Sequence, residues 1–81
     1  MLICNPYKKV EMSFNLSIEA KRSLLIQRIE SLNLEGYQHE LNKKSAEALG
    51  NQDVVEQSNQ AIEIIKSAIA VHETELADLG E

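Results

Sequence analysis

Between residues 53 and 79 an apolar side chain returns at every seventh position. Val55, Ile62, Ile69 and Leu76 form one row, and Ser58, Ile65, His72 and Leu79 form a second, three residues on. Rows spaced three and four residues apart share one face of an α-helix, so the pattern predicts a helix over about 53–79 with a heptad seam. A further stripe, Ala61, Ile64, Ala68 and Val71, runs beside it. An apolar arc this wide needs neighbours on two sides, more than one partner helix provides. Seam and stripe together are therefore the expected oligomer or partner interface.

The preceding segment, about 17–49, also has helical spacing. Ser17 is placed to cap it, and Ile18, Leu25, Ile29 and Leu32 share a face. The pattern then slips: Leu34, Tyr37, Leu41 and Ala48 define a second face, turned by roughly 120° from the first. The slip falls at Asn33–Gly36, where the helix either runs through or breaks. Gly50-Asn51 ends it, since Gly tolerates the left-handed backbone of a helix terminus. Asp53 is expected to cap the next helix, with Glu56 reaching back as in a capping box. So short a connection makes the two helices an antiparallel hairpin. In the predicted register Leu41 faces Ile62, Leu34 faces Ile69, Ile29 lies near Leu76, and His72 sits opposite Leu32–Asn33.

Residues 10–17, VEMSFNLS, break the helical rhythm. Val10, Met12, Phe14 and Leu16 alternate with polar neighbours, the period of a half-buried strand over about 10–16. Residues 1–9 read as a flexible arm, with neither a secretory signal nor a membrane span, and Met12 is an alternative start to Met1. The expected fold is thus all-α: a short N-terminal strand and an antiparallel helical hairpin forming one domain over 10–81. Hairpins associate most simply in pairs, into a four-helix bundle.

Size supports that expectation. Ordering 81 residues costs on the order of 100 kcal/mol of conformational entropy, which a core this small barely offsets. Cys4 is the single cysteine, so no intrachain disulfide can help, and a reducing cytoplasm is the expected setting. A partner subunit is left as the source of stability, a homodimer being the simplest.

Charge is uneven. The net −5 arises from an almost neutral first half and a second half, 51–81, in which Lys66 stands alone against seven acids. Such a half repels nucleic acid and suits a basic partner surface or the slightly basic first half; read most simply, it is a solvated acidic face that keeps the protein soluble.

Candidate chemistry is sparse. His72 and Glu75 share a helix face, but no HExxH pattern exists, nor a Glu three residues before either His, so no metal site is expected. His72 reads as a buried polar group fixing register, and His39 as surface. Cys4 has no histidine nearby in sequence, and the three glycines are too scattered to cradle a phosphate. No catalysis and no cofactor are expected. The acidic polar face of the last helix also argues against lying on an anionic membrane.

One stretch carries a resemblance. SFNLS at 13–17 resembles the ribbon of Arc-like ribbon-helix-helix repressors, with Leu25, Ile26 and Ile29 like their first helix and Tyr37 and Leu41 like their second. The resemblance spans about 10–49. It implies a dimeric DNA-binding regulator in which Ser13, Asn15 and Ser17 enter the major groove, the chain turns near Asn33, and the acidic last helix binds a partner. The main expectation is a small cytoplasmic scaffold or adaptor protein acting through self-association and protein contacts.

Overall fold

The computed structural model describes residues 14–80. The arm 1–9 with Cys4, and strand positions 10–13 with Ser13, lie outside the described residues. Two helices fill most of the described residues: α1, Ile18–Leu49, and α2, Gln52–Asp78. They pack against each other as an antiparallel hairpin. No strand occurs among the described residues. The predicted strand is therefore corrected over 14–16: the Leu16 N–H bonds back to the Phe14 carbonyl at 3.1 Å, which bends the chain at Asn15. Phe14 is 88% exposed.

Local chemistry sets the helix ends. The Ser17 hydroxyl accepts from the Ala20 N–H at 3.0 Å and starts α1 as predicted. At the other end Gly50 adopts φ 72°. Its N–H reaches the Glu47 carbonyl at 3.2 Å, while Asn51 N–H reaches that of Ala46 at 2.9 Å. This pair of bonds is a Schellman motif. Asn51 then serves twice, because its side chain accepts from Val54 N–H at 3.3 Å and caps α2. Asn51, not Asp53, is the cap. Asp53 lies instead in the first turn of α2, where the helix dipole favours an acid.

Through Asn33–Gly36 α1 is continuous. Asn33 does not start a turn; its side-chain amide donates to the Ile29 carbonyl at 2.9 Å and closes on its own helix. Gly36 faces α2, and a Cβ there would meet Ile65 Cγ2 at 3.5 Å. That contact fixes the register. With equal rise on both helices, it brings Ala46 level with Val55, Leu32 with Ile69, Ile29 with His72 and Leu25 with Leu76.

The predicted pairs Leu41–Ile62, Leu34–Ile69 and Ile29–Leu76, with His72 opposite Leu32–Asn33, are corrected accordingly. The second face of α1 does not point at α2: Leu34 is 63% exposed, and Tyr37 and Leu41 are exposed too. Instead, from Leu25 onward the half-buried or buried positions of α1 run Leu25, Ile29, Leu32, Gly36, His39, Lys43 and Ala46, in unbroken three–four spacing. The seam stays straight because α2 has a regular heptad and the two-residue turn leaves no slack. Small Gly36 and Ala46 accept bulky Ile65 and Val55.

The resulting core is thin. Ala46, Val55 and Ile65 are its buried apolar residues, joined by buried Ser58, and no side chain among the described residues is completely shielded. The hairpin extends 61 × 24 × 15 Å with a radius of gyration of 18.2 Å, against about 12 Å for a compact chain of this length. It exposes 5716 Å².

Candidate interaction surface

Packing on α1 divides the predicted interface residues of α2 into two sets. Val55 and Ile65 are buried, and Ile62, Ile69, His72 and Leu76 are half-buried against α1. The heptad seam is therefore engaged within the hairpin. The neighbouring stripe is not: Ala61 and Ala68 are half-buried at its inner edge, while Ile64 is 68% and Val71 60% exposed.

Two long sides flank the seam, and they differ in chemistry. On one side Glu40, Lys44 and Glu47 of α1 line a shallow groove with Glu63 and Lys66 of α2. Lys66 and Glu63 approach to 3.8 Å across one turn, an exposed pair that contributes little to stability. Tyr37 stands over a second groove on this side, beside Glu40 and Lys66.

The opposite side carries few charges. Near the turn a groove of about 390 Å³ is lined by Asn42, Ser45 and Leu49 with Val54, Gln57 and Ser58. At the open end a groove of about 490 Å³ is lined by Phe14, Leu16, Lys21, Leu24 and Leu25 with Glu75 and Leu79. Between them α2 contributes Val54, Gln57, Ala61, Ile64, Ala68 and Val71, spaced three and four apart and so in one line along the helix. From Val54 to Val71 this line carries no charge, although α2 is otherwise acidic. Exposed Leu24 and Leu49 of α1 border the same side. Sequence periodicity missed these two leucines, since neither belongs to the seam; only the register of the hairpin places them there.

The histidines take separate parts. His72 Nδ1–H donates to the Ala68 carbonyl at 2.7 Å, so that nitrogen is engaged within its own helix and makes no cross-helix bond. His39 is half-buried in the seam, level with Ile62 and about 15 Å along the axis from His72. Among the described residues no group of three or more His, Cys, Asp and Glu stands close enough to hold a metal ion. Nor is any helix among them long and apolar enough to cross a membrane.

The ribbon-helix-helix resemblance loses its structural basis. Its second helix would begin after a turn near Asn33, where α1 is unbroken. Ser17 is occupied in capping α1, Asn15 lies in the bend before it, and Ser13 is outside the described residues. Comparison of the chain with family models, with curated proteins and with solved structures gives no match.

Proposed function

We propose that this is a small non-enzymatic helical protein that acts as a scaffold or adaptor, its hairpins pairing through the side that carries the Ala61–Ile64–Ala68–Val71 stripe to form a dimeric four-helix bundle. The observation that carries this reading is the stripe Ala61–Ile64–Ala68–Val71, with Ile64 and Val71 exposed and no charge along it on an acidic helix. Charge on a solvated helix face favours solubility, and its absence along one line marks a contact surface.

The thin core supports the same reading. Three buried apolar residues supply little of the stabilisation that an ordered chain of this length requires. Docking of a second hairpin would cover the stripe and the grooves at both its ends. The bundle would then present its charged sides and the Leu34–Tyr37–Leu41 face of α1 to other proteins. The single cysteine fits a reducing compartment such as the cytoplasm.

The test is dilution. If folding and pairing are coupled, the melting temperature rises with protein concentration. Replacing exposed Ile64 by Lys removes that dependence and lowers helicity at equal concentration. A melting temperature independent of concentration, with helicity unchanged in Ile64→Lys, would exclude self-association through this side.

A further inference from the structure

We infer that residues 1–13 fold back over the open end of their own hairpin, with Leu2 and Ile3 entering the groove between Phe14, Leu24 and Leu79. The inference stands apart from the pairing of hairpins, since one chain supplies both groove and occupant.

The groove offers an apolar floor without a cover among the described residues. It holds about 490 Å³, and Phe14, Leu16, Leu24, Leu25 and Leu79 line it together with Lys21 and Glu75. Phe14, the single phenylalanine of the chain, is 88% exposed, and Leu16 and Leu24 are each 49% exposed. Covering them takes apolar area out of water and so favours an apolar occupant.

The segment that leads into Phe14 has that character. Seven of its 13 residues are apolar, above the 43% of the whole chain, and Leu2 and Ile3 are adjacent. Segments that stay in solvent are poor in hydrophobic residues. Reach is ample: the chain from Ile3 to Phe14 spans up to about 40 Å, and from Ile18 to Leu25 the groove runs only about 10 Å along α1. So short a tether gives an effective concentration on the order of millimolar. At micromolar protein the chain's own segment therefore outcompetes the same segment of a second copy.

Charge directs the segment toward α2. Glu75 and Asp78 stand in the last turn of α2, which has no basic residue, although a helix C-terminus favours cations. Lys8 and Lys9 supply two, against one acid, Glu11. The facing part of α1 does not compete for them, because Lys21, Arg22 and Arg28 there outnumber Glu19.

Cys4, next to Ile3, reports the contact in the full chain. Glu75→Cys places a second thiol in the groove, and Glu73→Cys places one about 160° around α2, outside it. Both positions are exposed, and each variant loses one acid. Each is oxidised with diamide at micromolar concentration, and loss of thiols in the band of monomer mobility is followed on non-reducing gels. The expected result is an intrachain disulfide that closes at least about tenfold faster in Glu75→Cys than in Glu73→Cys. In urea the two loops, nearly equal in length, should close at equal rates. Equal rates in the native chain, a ratio that persists in urea, or no intrachain disulfide in Glu75→Cys overturns the inference. Disulfides between chains in its place overturn it too. Self-association is read separately, from the mass of the unaltered chain, and stands or falls on that measurement.

Discussion

Replacing Gly36 by Ala should stabilise the protein. Gly36 sits inside a continuous helix with an ordinary helical backbone, since the positive-φ glycines are Gly50 and Gly80. A Cβ at Gly36 would touch Ile65 Cγ2 at 3.5 Å, normal van der Waals contact, so a methyl group fits without displacing α2. In a helix interior Gly is about 1 kcal/mol less favourable than Ala, largely through the unfolded chain's freedom. Covering part of one methyl group adds about 0.4 kcal/mol. The expected gain is roughly 1–1.5 kcal/mol, or a rise of about 4–12 °C in melting temperature for a domain of this size. Gly36→Leu should do the reverse, because its longer side chain must displace Ile65, at a cost of about 1–3 kcal/mol.

Urea unfolding followed by far-ultraviolet circular dichroism, at one fixed protein concentration, measures both. The slope should stay unchanged while the midpoint moves. The sign is diagnostic. Were the chain to turn at Asn33–Gly36, with Gly36 left-handed, Ala would cost about 1 kcal/mol instead. A destabilised Gly36→Ala would therefore refute the continuous α1 and the register built on it.

Other substitutions test separate parts of the account. Gly50→Ala, at φ 72°, should cost about 1 kcal/mol although nothing lies within 4 Å of its Cβ position, and a lowered melting temperature checks it. Asn51→Ala removes the cap of α2, with an expected loss of about 1 kcal/mol in the same assay. Ile65→Ala should cost about 3 kcal/mol, a large share of the stability so thin a core can hold, and should show as lost helicity at ambient temperature. Leu34→Gln, by contrast, should change stability by no more than about 0.5 kcal/mol, because Leu34 is largely exposed in the hairpin.

The contrast between Ile65 and Leu34 shows which signals the sequence carried. The heptad of α2 was legible because six of its eight seam residues, all but Ser58 and His72, are bulky and apolar and mark a buried face clearly. The caps Ser17 and Gly50 were legible from residue type alone. The inner face of α1 was not, beyond Leu32. There the seam passes to Gly36, His39, Lys43 and Ala46, which are small or polar and are half-buried or buried because α2 brings the bulk. Periodicity followed the larger Leu34, Tyr37 and Leu41 and so followed the wrong face. Asn33 and Gly36 added the chemistry of a turn, which the bond from Asn33 to Ile29 and the contact of Gly36 with Ile65 override.

The stripe on α2 shows the opposite case. Ala61, Ile64, Ala68 and Val71 were visible as a second apolar line, but a line on one helix does not say which neighbour covers it. Once α1 is in place, the question narrows to the side that the hairpin leaves open. The alternation at 10–17 misled for a related reason: an apolar-polar rhythm suits a strand only where an edge exists to pair with. At 14–17 the chain bends at Asn15 and enters the cap of α1.

Sedimentation equilibrium of the unaltered chain under reducing conditions, at micromolar concentration, tests self-association most directly. Pairing through the side that carries the stripe predicts a mass twice the 9.1 kDa of the chain, falling toward the monomer on dilution as helicity is lost. A fully helical species that stays at 9.1 kDa across the whole concentration range would contradict it.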